Sequence, residues 1–114
     1  RIVATALNDA NARYLEENKS PSRKVNELDN RGSHYFVARY WAEAMAANED
    51  DAGLAARFAA PAKALADNED QILAELLAAQ GAPVDIGGYY QPDEQLAFAA
   101  MRPSATLNAI IDAI

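Results

Sequence analysis

The chain has no cysteine and a single histidine, His34. These absences exclude a disulfide framework and thiol chemistry, and leave His34 no second soft ligand with which to build a zinc site. No apolar run approaches the roughly 20 residues that a membrane span needs, and the opening residues do not show a secretory-signal pattern. Glycine is scarce: Gly87-Gly88 lacks the third glycine and the strand-to-helix setting of a dinucleotide fingerprint. Positive charge is also in deficit, with a formal net charge of −7. A cysteine-free, acidic chain of this kind is expected in the cytoplasm, and it is a poor general binder of nucleic acid or anionic membrane.

The charge is unevenly placed. Between Arg13 and Arg39 six basic residues (Arg13, Lys19, Arg23, Lys24, Arg31, Arg39) face four acidic ones, whereas the remainder holds four basic and thirteen acidic. A local site for one small anion is compatible with that window. At 114 residues the chain is long enough for one domain with a real core. Apolar residues make up 51% of it, but alanine is the commonest of them, so its helices bury little area for their size.

Period-3.6 patterning recurs along most of the sequence. Residues 2–16 set Val3, Ala6, Leu7, Ala10 and Tyr14, with Ala4 and Leu15, on one stripe that ends near Asn18, ahead of Ser20-Pro21. A loop runs to Asp29 or Asn30, either of which can cap a helix over 30–47 carrying Phe36, Val37, Tyr40, Trp41, Ala44 and Met45 on one face. After the polar break Asn48–Asp51, a third segment contains Leu54, Phe58, Leu65, Ile72, Leu76 and Leu77. Pro61 predicts a break near Ala59-Ala60 and a restart that reaches Gln80, with Gly81 as its stop. Residues 82–91 read as irregular, with Tyr89-Tyr90 clamping that stretch to the helices. A short helix from Pro92 or Asp93 to Met101 follows, then a last one capped by Ser104 with Leu107, Ile110 and Ile111 inward. The expected fold is all-α, with five to six helices and no strand. Because Arg1 already stands in a helical pattern, the chain is expected to be a fragment of something longer.

The stretch from Asn18 to His34 is the exception to the alanine-rich pattern, and loops rich in side-chain donors are where binding chemistry sits on helical scaffolds. Within it, Ser20-Pro21-Ser22-Arg23-Lys24 offers two hydroxyls and two adjacent cations, a set that can surround a phosphate. The plain alternative is a solvated loop whose arginine pairs with Glu16, Glu17 or Glu27. Asp29, Ser33 and His34 do not read as a catalytic set, since no strand-turn-helix elbow accompanies them. His34 reads as a helix-start residue or part of a surface against another domain. Asp50-Asp51 and Asp67-Asn68-Glu69-Asp70 stand at helix boundaries, where capping explains them better than Mg²⁺ binding. Trp41 reads as core, and Arg102 as a cap or bridge between helices.

Four segments together carry a resemblance: Asn18–Val25, Leu28–His34, Pro83–Tyr90 and Met101–Thr106. In this order they resemble the carboxy-terminal region of the bacterial monomeric-type NADP-dependent isocitrate dehydrogenases, in register from about Asn8 to Asn108. The resemblance implies an enzyme of two α/β domains that oxidises and decarboxylates isocitrate to 2-oxoglutarate in the tricarboxylic acid cycle, using NADP and Mg²⁺ or Mn²⁺. Residues 1–114 would be a helical carboxy-terminal part of the domain that also holds the amino terminus. The metal and isocitrate ligands and the Lys–Tyr acid–base pair would lie outside this chain, making it inactive alone. Arg23 would contribute to the site for the adenosine 2′-phosphate, with Lys24 beside it. The parent would be monomeric, its partners being isocitrate, NADP and the remainder of the same polypeptide; the piece cut free would self-associate through its apolar faces. Pro61 after Ala59-Ala60, and Gln95-Leu96 after Glu94, depart from the family pattern. The alternative is a non-catalytic helical interaction module.

Overall fold

The computed structural model describes residues 1–24, 27–80 and 93–114. They form six helices: α1 (Ile2–Glu16), α2 (Asn30–Ala47), α3 (Ala52–Asp67), α4 (Glu69–Ala78), α5 (Glu94–Met101) and α6 (Ala105–Asp112). No strand occurs among the described residues, as the sequence pattern predicts. The expected stop at Gly81 and the clamp by Tyr89-Tyr90 lie outside the described residues.

The starts of four helices are fixed by short polar side chains. Asp29 Oδ1 accepts from the Gly32 N–H, Asp51 Oδ1 from Leu54, Asp93 Oδ1 from Leu96, and Ser104 Oγ from Leu107, at 3.0–3.1 Å. Each satisfies one of the amides a helix start leaves unpaired, and each contributes about 0.5–2 kcal/mol. Capping thus accounts for Asp51, as expected. Leu28 lies over the first turn of α2 so closely that a Cβ at Gly32 would overlap its methyl group.

Helix α2 is central, packed against both α1 and α3. Two buried faces explain why its core contribution exceeds the single face expected. Phe36, Tyr40 and Met45 are buried as anticipated, but so are Tyr35 and Ala42, while Val37, Trp41 and Ala44 are only half-buried. The core is completed by Ala6 and Ala10, by Phe58, Ala62 and Leu65, and by Ile72 and Leu76. The α1 stripe is narrower than its sequence suggests. Ala6 and Ala10 face α2, whereas Val3, Leu7 and Leu15 remain 52%, 43% and 64% exposed. Alanine at the contact lets the two helices approach closely, and that leaves the larger side chains at the edge of the seam.

The break placed at Ala59-Ala60 is a correction. Helix α3 runs through Pro61 without interruption, and the chain leaves helical geometry at Asn68, where φ is −103° and ψ is 16°. An interior proline costs about 3 kcal/mol. Phe58 and Leu65, buried on the same helix, recover about 1.5–3 kcal/mol each, which is enough to carry the helix past Pro61. At the real break side chains reach the last carbonyls of the helix. Asn68 Nδ2 donates to Ala64 O at 2.8 Å, and the buried Tyr35 hydroxyl donates to Leu65 O at 2.6 Å.

Helix α6 is held by Glu75 of α4. Its Oε1 accepts from Ser104 Oγ (2.9 Å) and the Thr106 N–H (3.0 Å), and its Oε2 accepts from Thr106 Oγ1 (2.7 Å). Leu107 and Ile110 are half-buried against the core. Ile111, expected inward, is 38% exposed, because an eight-residue helix resting on two neighbours buries a narrow stripe.

Candidate functional site: the loop between α1 and α2

The loop begins with a backbone device. Asn18 has φ 57°, the one positive φ at a non-glycine position among the described residues. The Asn18 N–H donates to Leu15 O at 3.2 Å and the Lys19 N–H to Tyr14 O at 3.0 Å. This is the Schellman pattern, which needs a left-handed residue after the helix; asparagine is among the few non-glycine residues that adopt it readily. Helix α1 therefore ends at Glu16, ahead of Ser20-Pro21, by its own cap.

Lys19 then anchors the loop on α2. Its carbonyl accepts from Ser33 Oγ at 2.6 Å, and its ammonium lies 4.4 Å from the centre of the Phe36 ring. Further along, the Ser22 N–H donates to Leu28 O at 2.6 Å, while Ser22 Oγ donates to Glu27 Oε1 at 2.7 Å and accepts from the Lys24 N–H at 3.1 Å. Gln80 Nε2 donates to Glu27 O at 2.7 Å, tying the same loop to the end of α4.

Among the basic residues of the Arg13–Arg39 window, four are committed to structure. Arg13 bonds Glu17 and Glu43 and lies 4.0 Å from the centre of the Tyr40 ring. Lys19 is used as described. Arg31 donates to Asp29 Oδ2 through Nε (3.0 Å) and Nη2 (2.7 Å), and to Ala100 O through Nη1 (2.9 Å), joining α2 to α5. Arg39 bonds Glu43 and Glu69 at 2.9 and 3.1 Å. Arg23 and Lys24 differ. Both are exposed, and neither side chain makes a hydrogen bond or ion pair with the described residues. Of the carboxylates weighed as partners for Arg23, Glu17 is taken by Arg13 and Tyr40, and Glu27 by Ser22.

The charges around the loop follow from these contacts. Burial alone would raise the Asp29 carboxyl, but the Gly32 N–H and Arg31 outweigh it and hold the group below the usual range. Burial and the bond to Glu17 push Tyr40 up to about 12. Glu17 is held low, first by the Tyr40 hydroxyl and then by Arg13.

Asp29, Ser33 and His34 do not converge. Ser33 is buried with its hydroxyl on Lys19 O, Asp29 serves the helix cap and Arg31, and His34 is exposed. Arg102 bridges helices as expected: Nε donates to Asn108 Oδ1 at 3.1 Å and Nη2 lies 3.4 Å from Asp112 Oδ1. Among the described residues no group of three or more His, Asp or Glu side chains could hold a metal ion, and no helix is long and apolar enough to cross a membrane. Sequence reasoning missed the network Arg13–Glu43–Arg39–Glu69 and the Tyr40–Glu17 bond. The i,i+4 spacings of Arg13/Glu17 and Arg39/Glu43 were its visible signal.

The scaffold thus holds the loop in place while two adjacent exposed cations have no side-chain partner among the described residues. Residues 1–112 match the family described as monomeric isocitrate dehydrogenase, and the chain belongs to that family. It is 54% identical over 110 residues to an NADP isocitrate dehydrogenase of Azotobacter vinelandii, an alignment covering 96% of this chain. Over all 114 residues it is 53% identical to NADP isocitrate dehydrogenase 2 of Colwellia maris and 50% identical to that of Mycobacterium tuberculosis. The chain spans about 15% of the length of these relatives.

Proposed function

We propose that these 114 residues are the carboxy-terminal portion of an NADP-dependent isocitrate dehydrogenase, where they brace one domain and supply part of the NADP 2′-phosphate site. The observation that carries this reading is the state of Arg23 and Lys24, exposed and without a side-chain partner among the described residues, in a window whose other four cations are engaged. A guanidinium fork meets two phosphate oxygens, and the neighbouring ammonium adds a point charge. Ser22 is less suited to a phosphate than the sequence suggests, because its proton is committed to Glu27. Ser20 retains a hydroxyl with no partner among the described residues.

In the whole enzyme the reaction would be oxidative decarboxylation of isocitrate to 2-oxoglutarate, in the cytoplasm, with NADP accepting the hydride. On the family resemblance, the metal, the isocitrate ligands and the acid–base pair belong to the rest of the polypeptide. These 114 residues alone would be inactive. The contribution of Arg23 is to cofactor choice: its fork stabilises a 2′-phosphate and gains nothing comparable from the 2′-hydroxyl of NAD.

The test is isocitrate-dependent reduction of NADP and of NAD by the full-length polypeptide, wild type against Arg23→Ala. A loss of NADP kcat/KM worth about 1.5–3 kcal/mol, with NAD little changed, is the expected result. An equal loss with both cofactors would assign Arg23 to holding the loop. Absence of isocitrate activity in the wild type would leave the non-catalytic helical module as the function.

A further inference from the structure

We propose that Glu27 is a positioning residue for the cofactor: through Ser22, its carboxylate holds the peptide group that joins Arg23 to Lys24, and so sets how the two cations meet a phosphate. This rests on the reading of Arg23 as part of the 2′-phosphate site. The relay consists of two bonds. Glu27 Oε1 accepts the proton of Ser22 Oγ at 2.7 Å, and Oγ in turn accepts the Lys24 N–H at 3.1 Å. That N–H belongs to the Arg23–Lys24 peptide. Two further bonds anchor the relay. The Ser22 N–H donates to Leu28 O at 2.6 Å, ahead of α2, and Gln80 Nε2 donates to Glu27 O at 2.7 Å, at the end of α4.

A serine hydroxyl has one proton and two lone pairs. Once the proton is given to a carboxylate, the lone pairs are left for the backbone amide, and the negative charge makes Oγ a stronger acceptor. Without Glu27 the hydroxyl rotates freely, and the Lys24 N–H loses a directed partner. On charge alone, a carboxylate beside a phosphate site is unfavourable, so removing Glu27 should tighten a cofactor that carries the 2′-phosphate. The geometry predicts the opposite sign. Geometry prevails because Glu27 is exposed, where solvent and salt screen the repulsion, whereas the bond to Ser22 Oγ is what fixes the Lys24 N–H among the described residues.

The experiment measures the dissociation constants of NADP and NAD for the full-length polypeptide by titration calorimetry, alongside the melting temperature and the KM for isocitrate. Glu27→Ala should weaken NADP about three- to tenfold, the scale of one hydrogen bond, and leave NAD nearly unchanged. Glu27→Gln, whose amide oxygen still accepts from Ser22, should bind NADP at least as well as wild type. Ser22→Ala should reproduce Glu27→Ala, and the double variant should be no weaker than either single one. Tighter or unchanged NADP binding by Glu27→Ala would overturn the proposal, because only the repulsion would then remain. Parallel losses for NADP, NAD and isocitrate with a lower melting temperature would overturn it too, by making Glu27 a structural support. Arg23→Ala separates the two levels of the argument. If that variant binds NADP normally, the 2′-phosphate reading itself fails; if it binds NADP weakly while Glu27→Ala does not, the positioning role alone fails. Should Glu27→Ala not fold, Ser22→Ala against Ser22→Thr, which keeps the hydroxyl, tests the same relay.

Discussion

The Tyr40 hydroxyl donates a hydrogen bond to the Glu17 carboxylate, fastening the middle of α2 to the end of α1 where the candidate loop departs. Arg13 completes the arrangement, bonded to Glu17 Oε1 at 3.2 Å and stacked over the Tyr40 ring. Tyr40→Phe removes the donor and keeps the packing, so the melting temperature should fall by a few degrees. The effect has a defined alkaline limit. Tyr40 is raised to about 12 in the folded chain from an ordinary value of 10. Its contribution is therefore complete below about pH 10 and disappears as pH rises through about 12. Thermal melts of wild type and Tyr40→Phe should converge across that interval; a constant difference up to pH 12 would show that the bond contributes nothing.

Glu75 gives the corresponding acid-side prediction. It receives two hydrogen bonds from Thr106 and one from Ser104, and these hold its carboxyl below the ordinary carboxylate range. A lowered carboxylate stabilises above its unfolded value and loses that contribution as pH falls through the folded one. Glu75→Ala leaves the buried Ser104 hydroxyl without its acceptor and should cost about 1–3 kcal/mol at neutral pH. Denaturant titration measures that loss, and amide exchange at Thr106 should accelerate with it.

Pro61 sits in the interior of α3 and withholds an N–H from the Arg57 carbonyl. Pro61→Ala restores that bond and removes the ring, a gain of up to about 3 kcal/mol in a helix interior. The freer unfolded chain returns about 0.4–1 kcal/mol of it. Net stabilisation of about 1–2 kcal/mol is expected in chemical denaturation. Destabilisation would mean that the proline ring packs in a way its helical position does not reveal.

Helix number, the caps at Asp29, Asp51 and Ser104, and the family were legible because each depends on local chemistry or on uncommon segments in order. The Pro61 error shows where local rules stop. Proline lowers helix propensity at one site, but Phe58 and Leu65 decide the outcome through tertiary burial that periodicity does not weigh. The same holds for α2. A sequence stripe identifies an apolar face but not how many neighbours an element will have, so Tyr35 and Ala42 were invisible as core. At the loop, sequence identified Arg23 and Lys24 as candidates, but not that Arg13, Arg31 and Arg39 are paired with carboxylates while these two have no side-chain partner among the described residues. Ser22 went the other way: its hydroxyl was counted as a phosphate donor, and a five-residue contact to Glu27 uses it.

Asn18 connects the fold to that loop. Its left-handed backbone lets Lys19 N–H close the Schellman bond to Tyr14 O, which sets the direction in which the chain leaves α1 toward Arg23. Asn18→Gly preserves this geometry and should change stability by only a few tenths of a kcal/mol. Asn18→Val puts a β-branched side chain where left-handed angles cost about 1–2 kcal/mol, and the turn should relax toward another conformation. In the full-length polypeptide the expected consequence is selective: KM for NADP rises in Asn18→Val, while Asn18→Gly behaves as wild type and the KM for isocitrate holds in both. Steady-state kinetics with each substrate varied in turn checks this. A rise in both Michaelis constants would assign Asn18 to domain stability, and no change in either would count against a cofactor role for the loop that this turn directs.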